Sequence, residues 1–501
     1  MNALPKELSD IQEQVKQLAS DYKLSPFPVE FEMVDYEQMC ALAARGGFPV
    51  RYPHWRFGME YDHLSKSYEY GLSKIYEMVI NANPCVAYLL NANPLTDQKL
   101  VMAHVYGHSD FFRNNLWFSK TNRDMVNEMA NHATRIRRYM DRFGVDVVEN
   151  FLDAALTLEN LIDPFAPFQG PQASKHSQEP SAEPTRFKVP AYMDKYVNPP
   201  ELLEQERQTK IAKLESEKHR LPAKPQRDVL KFLMEQAPLD AWKQDVISIL
   251  REEAYYFAPQ PQTKMMNEGW AAYWHSLFMT RHLLNASEVI TYADHHASAL
   301  AMQPTGPINP YKIGIELFRD IEDRWNRGAF GAEYEACQSF EEKQRWNRET
   351  GLGRTKMFEV RQVCNDISFI SNYLTEEFCL KHRLFVFSQN TKNQRYEVIS
   401  RAFQDVKKLL LFSLTNLGQP IVDVVDGNYR KRRELLLRHR YEDHELDLKK
   451  AEQTLRNLHR IWDNPVHIAT QIQGQDVTCT FDGETFVIHG LPEKSGTEPK
   501  I

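Results

Sequence analysis

The chain has 501 residues, 42% of them hydrophobic and 26% charged, with a net charge of −7. That length and balance allow a large buried core and roughly three domains, while the acidic excess excludes the global basic field that drives nucleic-acid binding. The six cysteines (Cys40, Cys85, Cys337, Cys364, Cys379, Cys479) never form a Cys-x-x-Cys pair, which argues against a zinc ribbon, an iron–sulfur motif or a disulfide framework and fits free thiols in a reducing compartment. Met1 to Lys6 runs into a charged stretch from Glu7 to Lys16, and no segment approaches about 18 uninterrupted apolar residues, so neither a signal peptide nor a membrane span is expected. A cytoplasmic location without a nucleic-acid partner is the expectation.

Residues 7–23 carry Leu8, Ile11, Val15 and Leu18 on one stripe and predict a helix. Val34 to Ala44 predicts a second, followed by the breaker Gly46-Gly47 and a loop from Tyr52 to Gly58. Leu64, Tyr68, Leu72, Ile75 and Val79 predict a helix over Leu64 to Ile80, stopping at Asn81-Ala82-Asn83-Pro84 because proline disfavours helix in the residue before it. Thr96 is the expected N-cap of a helix bearing His104 and His108. Asp124 to Phe143 and Val147 to Leu161 read as further helices. From Asp163 to about Pro222 the composition turns rich in Pro, Ser, Gln and Glu, which predicts a linker or insertion ending in a charged, solvated helix from Glu201 to Lys218.

Helices are expected again at Asp228 to Glu235, Leu239 to Phe257 and Met266 to Leu284, then from a Ser287 cap to His295-His296, at Lys312 to Arg324 and at Glu359 to Phe378. Strands are expected at Leu384 to Phe387, Tyr396 to Ile399, Pro420 to Val425, Glu434 to Tyr441, Asp476 to Asp482 and Thr485 to Ile488, interleaved with helices at Arg401 to Thr415 and Leu446 to Ile461. The predicted fold is thus a mainly α N-terminal domain followed by a small α+β C-terminal domain. Its parts are 1–162 with the histidine pair, a linker or insertion over 163–222, a helical continuation over 223–380, and the α+β domain over 381–501.

Two segments read as halves of one metal site: Met102 to His108, with His104 and His108 four apart on one helical face, and Met266 to His275, with Glu268 after Asn267 and before Gly269. Both imidazoles can reach a cation about 2 Å away. The pattern resembles gluzincin-type zinc peptidases, whose histidine pair is written His-Glu-x-x-His and whose third ligand lies in an Asn-Glu-Gly segment. That resemblance implies a zincin-like helical core with His104, His108 and Glu268 as ligands. It departs at Val105, where those enzymes place the glutamate that activates water. Zinc leads as the metal, and the two-histidine, one-carboxylate triad of non-haem iron(II) enzymes is the alternative. Gly107 inside the helix costs about 1 kcal/mol relative to Ala, so a close backbone or ligand approach is expected there.

A second resemblance covers nearly the whole chain. Tyr52-Pro53-His54-Trp55, Asn81-Ala82-Asn83-Pro84-Cys85, Met102 to His108, Phe111-Phe112 with Asn114-Asn115, Met266 to Trp274, and Ile308-Asn309-Pro310-Tyr311 occur in that order. The series resembles the SpoVR family, stage V sporulation protein R and its relatives in non-sporulating bacteria. The resemblance implies a link to spore cortex formation or stress response, and partners among a PrkA-type serine kinase and a von Willebrand-A-like protein. It implies no reaction.

His275 shares the face of Glu268 and either touches a ligand or packs among Trp270 and Trp274. His54 lies in an expected loop, and Glu128 and His132 stand four apart as an ion pair or as groups supporting the site. His295 and His296 point about 100° apart, so they cannot both face one metal easily. Arg430-Lys431-Arg432-Arg433 reads as an exposed hairpin turn suited to an acidic or phosphorylated partner. No Walker motif, Gly-x-Gly-x-x-Gly or Gly-x-Ser-x-Gly is present. Two functions follow: a regulatory protein with a metal-binding helical core, or a metal-dependent hydrolase of peptidase or amidase type in which Glu128, Glu253 or Asp110 replaces the base absent at Val105.

Overall fold

The computed structural model describes residues 4–69, 77–169, 193–217, 220–301, 309–389 and 396–490, together with Pro184. The middle of the expected linker, the centre of the Leu64 to Ile80 helix and Ile308 fall outside those residues. The chain is mainly helical and ends in a small α+β region, as expected. It divides into two compact units: residues 1–138 with 256–419, and residues 139–255 with 420–501. Among the described residues no helix is long and apolar enough to cross a membrane.

The first unit holds a small sheet in the order β1-β3-β2, formed by β1 (Val29–Val34), β2 (Met78–Ile80) and β3 (Cys85–Leu90). β1 runs parallel to β3 and β2 antiparallel to it. β2 corrects the expectation of helix over Leu64 to Ile80, while β1 and β3 lie where no strand was expected. Val29-Glu30-Phe31-Glu32 alternates with period two and buries Val29 and Phe31, which favours a strand. Met78-Val79-Ile80 pairs with Tyr88, Ala87 and Val86, so β3 overrides the helical spacing read across Leu64 to Ile80. The helix there is Trp55–Glu69 instead, and it starts inside the expected Tyr52 to Gly58 loop.

Two caps and one helix also differ. Pro94, not Thr96, precedes the helix Leu95–Asn114, its φ of −63° already suited to the turn. Asn285, not Ser287, caps the turn Ala286–Glu288 through a reciprocal box with Glu288. The expected single helix from Glu359 to Phe378 is three, Gly353–Val363, Asp366–Tyr373 and Glu376–Lys381, because Asn365 and Thr375 side chains accept backbone N–H groups and start new helices.

The core of this unit surrounds Leu95–Asn114, here called the His helix. From Thr96 to Phe112 only Leu100 escapes burial. It packs against Lys264–Phe278, the Glu helix, which packs in turn on Pro310–Arg327. A short hairpin, β4 (Val386–Gln389) with β5 (Tyr396–Ser400), completes the unit's strands.

The second unit carries a five-stranded sheet in the order β10-β9-β8-β7-β6: β6 (Val422–Tyr429), β7 (Glu434–His439), β8 (Val466–Ile472), β9 (Gln475–Phe481) and β10 (Phe486–His489). β6 and β7 form a hairpin whose turn is Arg430 to Arg433, with Arg430, Lys431 and Arg433 at positive φ. The helix Leu448–Trp462 lies between the parallel strands β7 and β8 in the chain. β8 was not foreseen. Its Val466, Ile468 and Ile472 are buried beside His467 and Thr470. Residues 139–255 share this unit's core: Gln226 bridges Val424, and Phe232 stacks on Trp462 with ring centroids 5.6 Å apart.

Candidate metal centre

Two glycine contacts set the positions of the site's helices. A Cβ on Gly107 would lie 2.7 Å from the Ala271 Cα, and a Cβ on Gly269 would lie 2.3 Å from the Gly314 carbonyl carbon. Real Cβ atoms do not come that close, so only glycine permits these crossings. The cause of Gly107 is therefore a neighbouring backbone. The close approach turns Asn267, Glu268 and His275 of the Glu helix toward His104 and His108 of the His helix.

His104 Nε2 lies 3.5 Å from Glu268 Oε2, and His108 Nε2 lies 3.5 Å from the same oxygen. A fourth donor joins them. Glu77 Oε1, one residue before β2, is 3.1 Å from His104 Nε2 and 3.5 Å from His108 Nε2. Each of the four residues offers an atom within 4.8 Å of the other three. All are withdrawn from solvent, with His104 and His108 buried and the two glutamates half-buried.

The far sides of both imidazoles are engaged. His104 Nδ1 is 2.7 Å from His275 Nδ1, and His108 Nδ1 is 2.9 Å from Asn267 Oδ1. The amide oxygen of Asn267 only accepts, so His108 donates from Nδ1 and keeps its Nε2 lone pair for the cluster. Such partners fix tautomer and ring orientation in metal sites. His275 continues to His296, Nε2 to Nδ1 at 3.2 Å. Burial, together with the charges of His104 and His296, holds His275 well below the usual imidazole range, so it stays neutral and accepts from His104 Nδ1–H.

Electrostatically the cluster draws in positive charge. Burial disfavours the imidazolium, yet Glu77 and Glu268 push His104 up to about 10. Burial likewise opposes ionisation of Glu77, but the charge of His104 holds its carboxyl well below the usual carboxylate range. Tyr311 stacks on His104 with centroids 6.2 Å apart. Burial and the two carboxylates push its phenol far up, so it remains protonated.

The residues fit a metal ion. His104 Nε2 and Glu268 Oε2 are buried without completing a hydrogen bond, a costly state for atoms that have no other use. Four bonds of 2.0–2.1 Å in a tetrahedron require donor separations of about 3.3 Å; the four histidine-to-carboxylate separations are 3.1–3.5 Å, and all the donor atoms lie within 4.8 Å of one another. Two carboxylates and two neutral imidazoles also balance a divalent charge. Among the described residues, then, Glu77, His104, His108 and Glu268 form a candidate metal-binding cluster.

The remaining candidates are placed as follows. Asp110 is fully buried and committed: it pairs with Arg361 Nη1 at 2.5 Å and accepts from Trp270 Nε1 at 2.9 Å and from the Ser25 N–H at 2.7 Å. Its oxygens are thereby occupied in holding the core. Glu128 and His132 share one helix, Met125–Phe143, with His132 buried. Glu253 is buried in the second unit. His54 sits just before Trp55–Glu69, its Nδ1 accepting from the Arg56 N–H. Val105 is buried completely. His295 and His296 do diverge, to Asp97 at 2.6 Å and to His275.

Sequence reasoning missed Glu77, Asn267 and the His275–His296 contact. The available signal for Glu77 was the run Met78-Val79-Ile80 before an Asn-rich turn, which marks a buried strand headed by an acidic residue.

A protein from Escherichia coli (strain K12), named only as the uncharacterized protein YcgB, is 29% identical over 96% of this chain and 94% of its own length. No solved structure matches the chain. The SpoVR-like C-terminal domain profile matches residues 420–473, beginning where the chain's contacts separate at Gln419 and Pro420. The SpoVR like protein profile matches residues 2–419, and with most of its length so matched, the chain belongs to the SpoVR family.

Proposed function

We propose that this chain is a cytoplasmic regulatory protein of SpoVR type, serving spore cortex formation or a stress response, whose helical core holds one divalent first-row metal ion between Glu77, His104, His108 and Glu268. Zinc is the first choice, since it is content with four protein donors, and iron(II) is the second. One observation carries the reading: two histidines and two glutamates whose donor atoms gather within 4.8 Å, with the far nitrogens of both histidines already engaged. Four protein ligands suit a metal that holds a structure or senses a state. The lack of a base at Val105 and the engagement of Asp110 point the same way. A PrkA-type serine kinase and a von Willebrand-A-like protein are the proposed partners.

Glu77 supports a second reading, a metal-dependent hydrolase resembling the gluzincin pattern. If three ligands hold the ion, Glu77 stands close enough to accept a proton from metal-bound water, the role absent at position 105. Elemental analysis of purified wild type beside His104→Ala and Glu77→Gln separates these outcomes. Stoichiometric zinc or iron in wild type, lost in both variants, supports the four-ligand regulatory centre. Metal retained in Glu77→Gln favours the hydrolase, and metal-free wild type after loading with zinc and iron(II) overturns both.

A further inference from the structure

The second unit contains a cavity of about 460 Å³ beside the β6–β7 turn, a size typical of small-molecule sites. Its charge is one-sided. Arg220 and Arg433 line it together with the side-chain amides of Gln236, Asn428 and Asn464, and none of the lining residues is a carboxylate. In a chain of net charge −7, such a lining is a local reversal of sign.

Several groups around the cavity are held by bonds of their own. Asn428 Oδ1 accepts the Arg433 N–H at 3.1 Å, so its remaining capacity is the NH₂ donor. Trp462 spends its indole N–H on the Arg433 carbonyl at 2.7 Å, leaving ring carbon as an apolar wall beside Leu221 and Pro238. Gly427 has no room for a side chain, since a Cβ there would lie 2.6 Å from the Phe232 ring. Nearby carboxylates are already engaged: Asp426 accepts from the backbone N–H of Leu221 and Asn428, and Glu434 binds His467 Nε2 at 3.0 Å. Arg433 forms no side-chain ion pair among the described residues, although its backbone is held at both ends.

We propose that this cavity binds a small organic phosphate, with the dianion between Arg220 and Arg433 and an apolar or flat portion against Trp462, Leu221 and Pro238. Two guanidiniums with amide donors match the oxygens of a phosphate monoester better than a single carboxylate. A recess of about 460 Å³ is of the size that takes a small molecule.

The test is calorimetric titration of the full-length protein with phenyl phosphate, using benzoate and a phosphoserine peptide for comparison. Phenyl phosphate is expected to bind, and to bind about tenfold or more weakly to Arg433→Gln and Arg220→Gln. Arg432→Gln, exposed in the same turn but outside the cavity lining, is expected to keep wild-type affinity. If Arg433→Gln fails to fold by circular dichroism, Arg220→Gln carries the test. Absence of binding up to about 10 mM overturns the proposal, as does equal weakening by Arg432→Gln, which would mean diffuse attraction to the turn. Benzoate binding as tightly as phenyl phosphate overturns the phosphate assignment. A response to the phosphopeptide alone would replace the small molecule with a docked protein.

Discussion

Gly107 of the His helix lies so close to Ala271 of the Glu helix that the nearest atom to an added Cβ is the Ala271 Cα, at 2.7 Å. Gly107→Ala should gain about 1 kcal/mol of helix propensity but lose more to overpacking, for a net destabilisation of about 1–2 kcal/mol. Because the obstructing atom is backbone, adding Ala271→Gly should not restore stability. Urea unfolding of both variants checks this, and full rescue by the double change would locate the clash in the methyl group instead.

Asn267 and His275 contact the Nδ1 atoms of His108 and His104, two of the proposed ligands. Asn267→Ala and His275→Ala should fold and still take up metal, with affinity lowered about 10–100-fold. Competition against a chromophoric chelator measures it. Wild-type affinity in both variants would mean that the Nδ1 contacts do not orient the histidines.

Chelation should lower the melting temperature of metal-loaded wild type and leave His104→Ala unmoved. A ligand present at about 100 times its Kd stabilises the folded state by about 2.7 kcal/mol. Differential scanning fluorimetry with and without chelator gives the shift, and equal shifts in both proteins would place the metal elsewhere.

Asp366 accepts the backbone N–H groups of Met265 and Met266 at 2.8 and 2.9 Å, at the start of the Glu helix. Burial pushes its carboxyl up to about 7 despite those bonds. A folded-state value above the unfolded value of about 3.9 means that the folded protein holds the proton more tightly. The resulting stability is fully present below about pH 3.9 and is lost as pH rises through 7, an effect of up to about 4 kcal/mol. Wild type should therefore lose stability relative to Asp366→Asn between about pH 4 and 7.5, with the gap constant above. Parallel stability curves across that range would refute the shift.

The strands after residue 420 share their core with residues before 256. Phe232 stacks on Trp462 and lies against Gly427, and the backbone of Gln226 exchanges hydrogen bonds with Val424 at 2.9 and 2.7 Å. A fragment of residues 420–501 should be insoluble or molten alone and become ordered on co-expression with 139–255. Dispersed amide NMR signals from the short fragment by itself would show that its own sheet is sufficient.

The histidine pair was readable because four-residue spacing puts both rings on one helical face, and Asn-Glu-Gly marked the facing helix. Glu77 was not, since it lies 27 residues before His104 in a segment whose apolar spacing reads as helix, and only pairing of Met78 to Ile80 with β3 makes it a strand. Three apolar residues are too short a local signal to outweigh that spacing without the distant partner strand, whereas β8, with Val466, Ile468, Thr470 and Ile472 alternating, carried a period-two signal that the reading passed over. Gly107 was recognised as unusual, but its cause, the Ala271 backbone 164 positions away, belongs to tertiary structure.

The first unit is interrupted by residues 139–255, and the four donors fall on both sides of that interruption. On a ribosome, Glu77, His104 and His108 emerge first, while Glu268 follows 160 residues after His108. At about 5–20 residues per second, the nascent chain carries an incomplete set of donors for about 8–32 seconds. A cation caught in that interval would be held by three groups and exchange readily. On the proposed metal reading, secure capture would wait until Glu268 has been translated and the Glu helix has closed on Gly107.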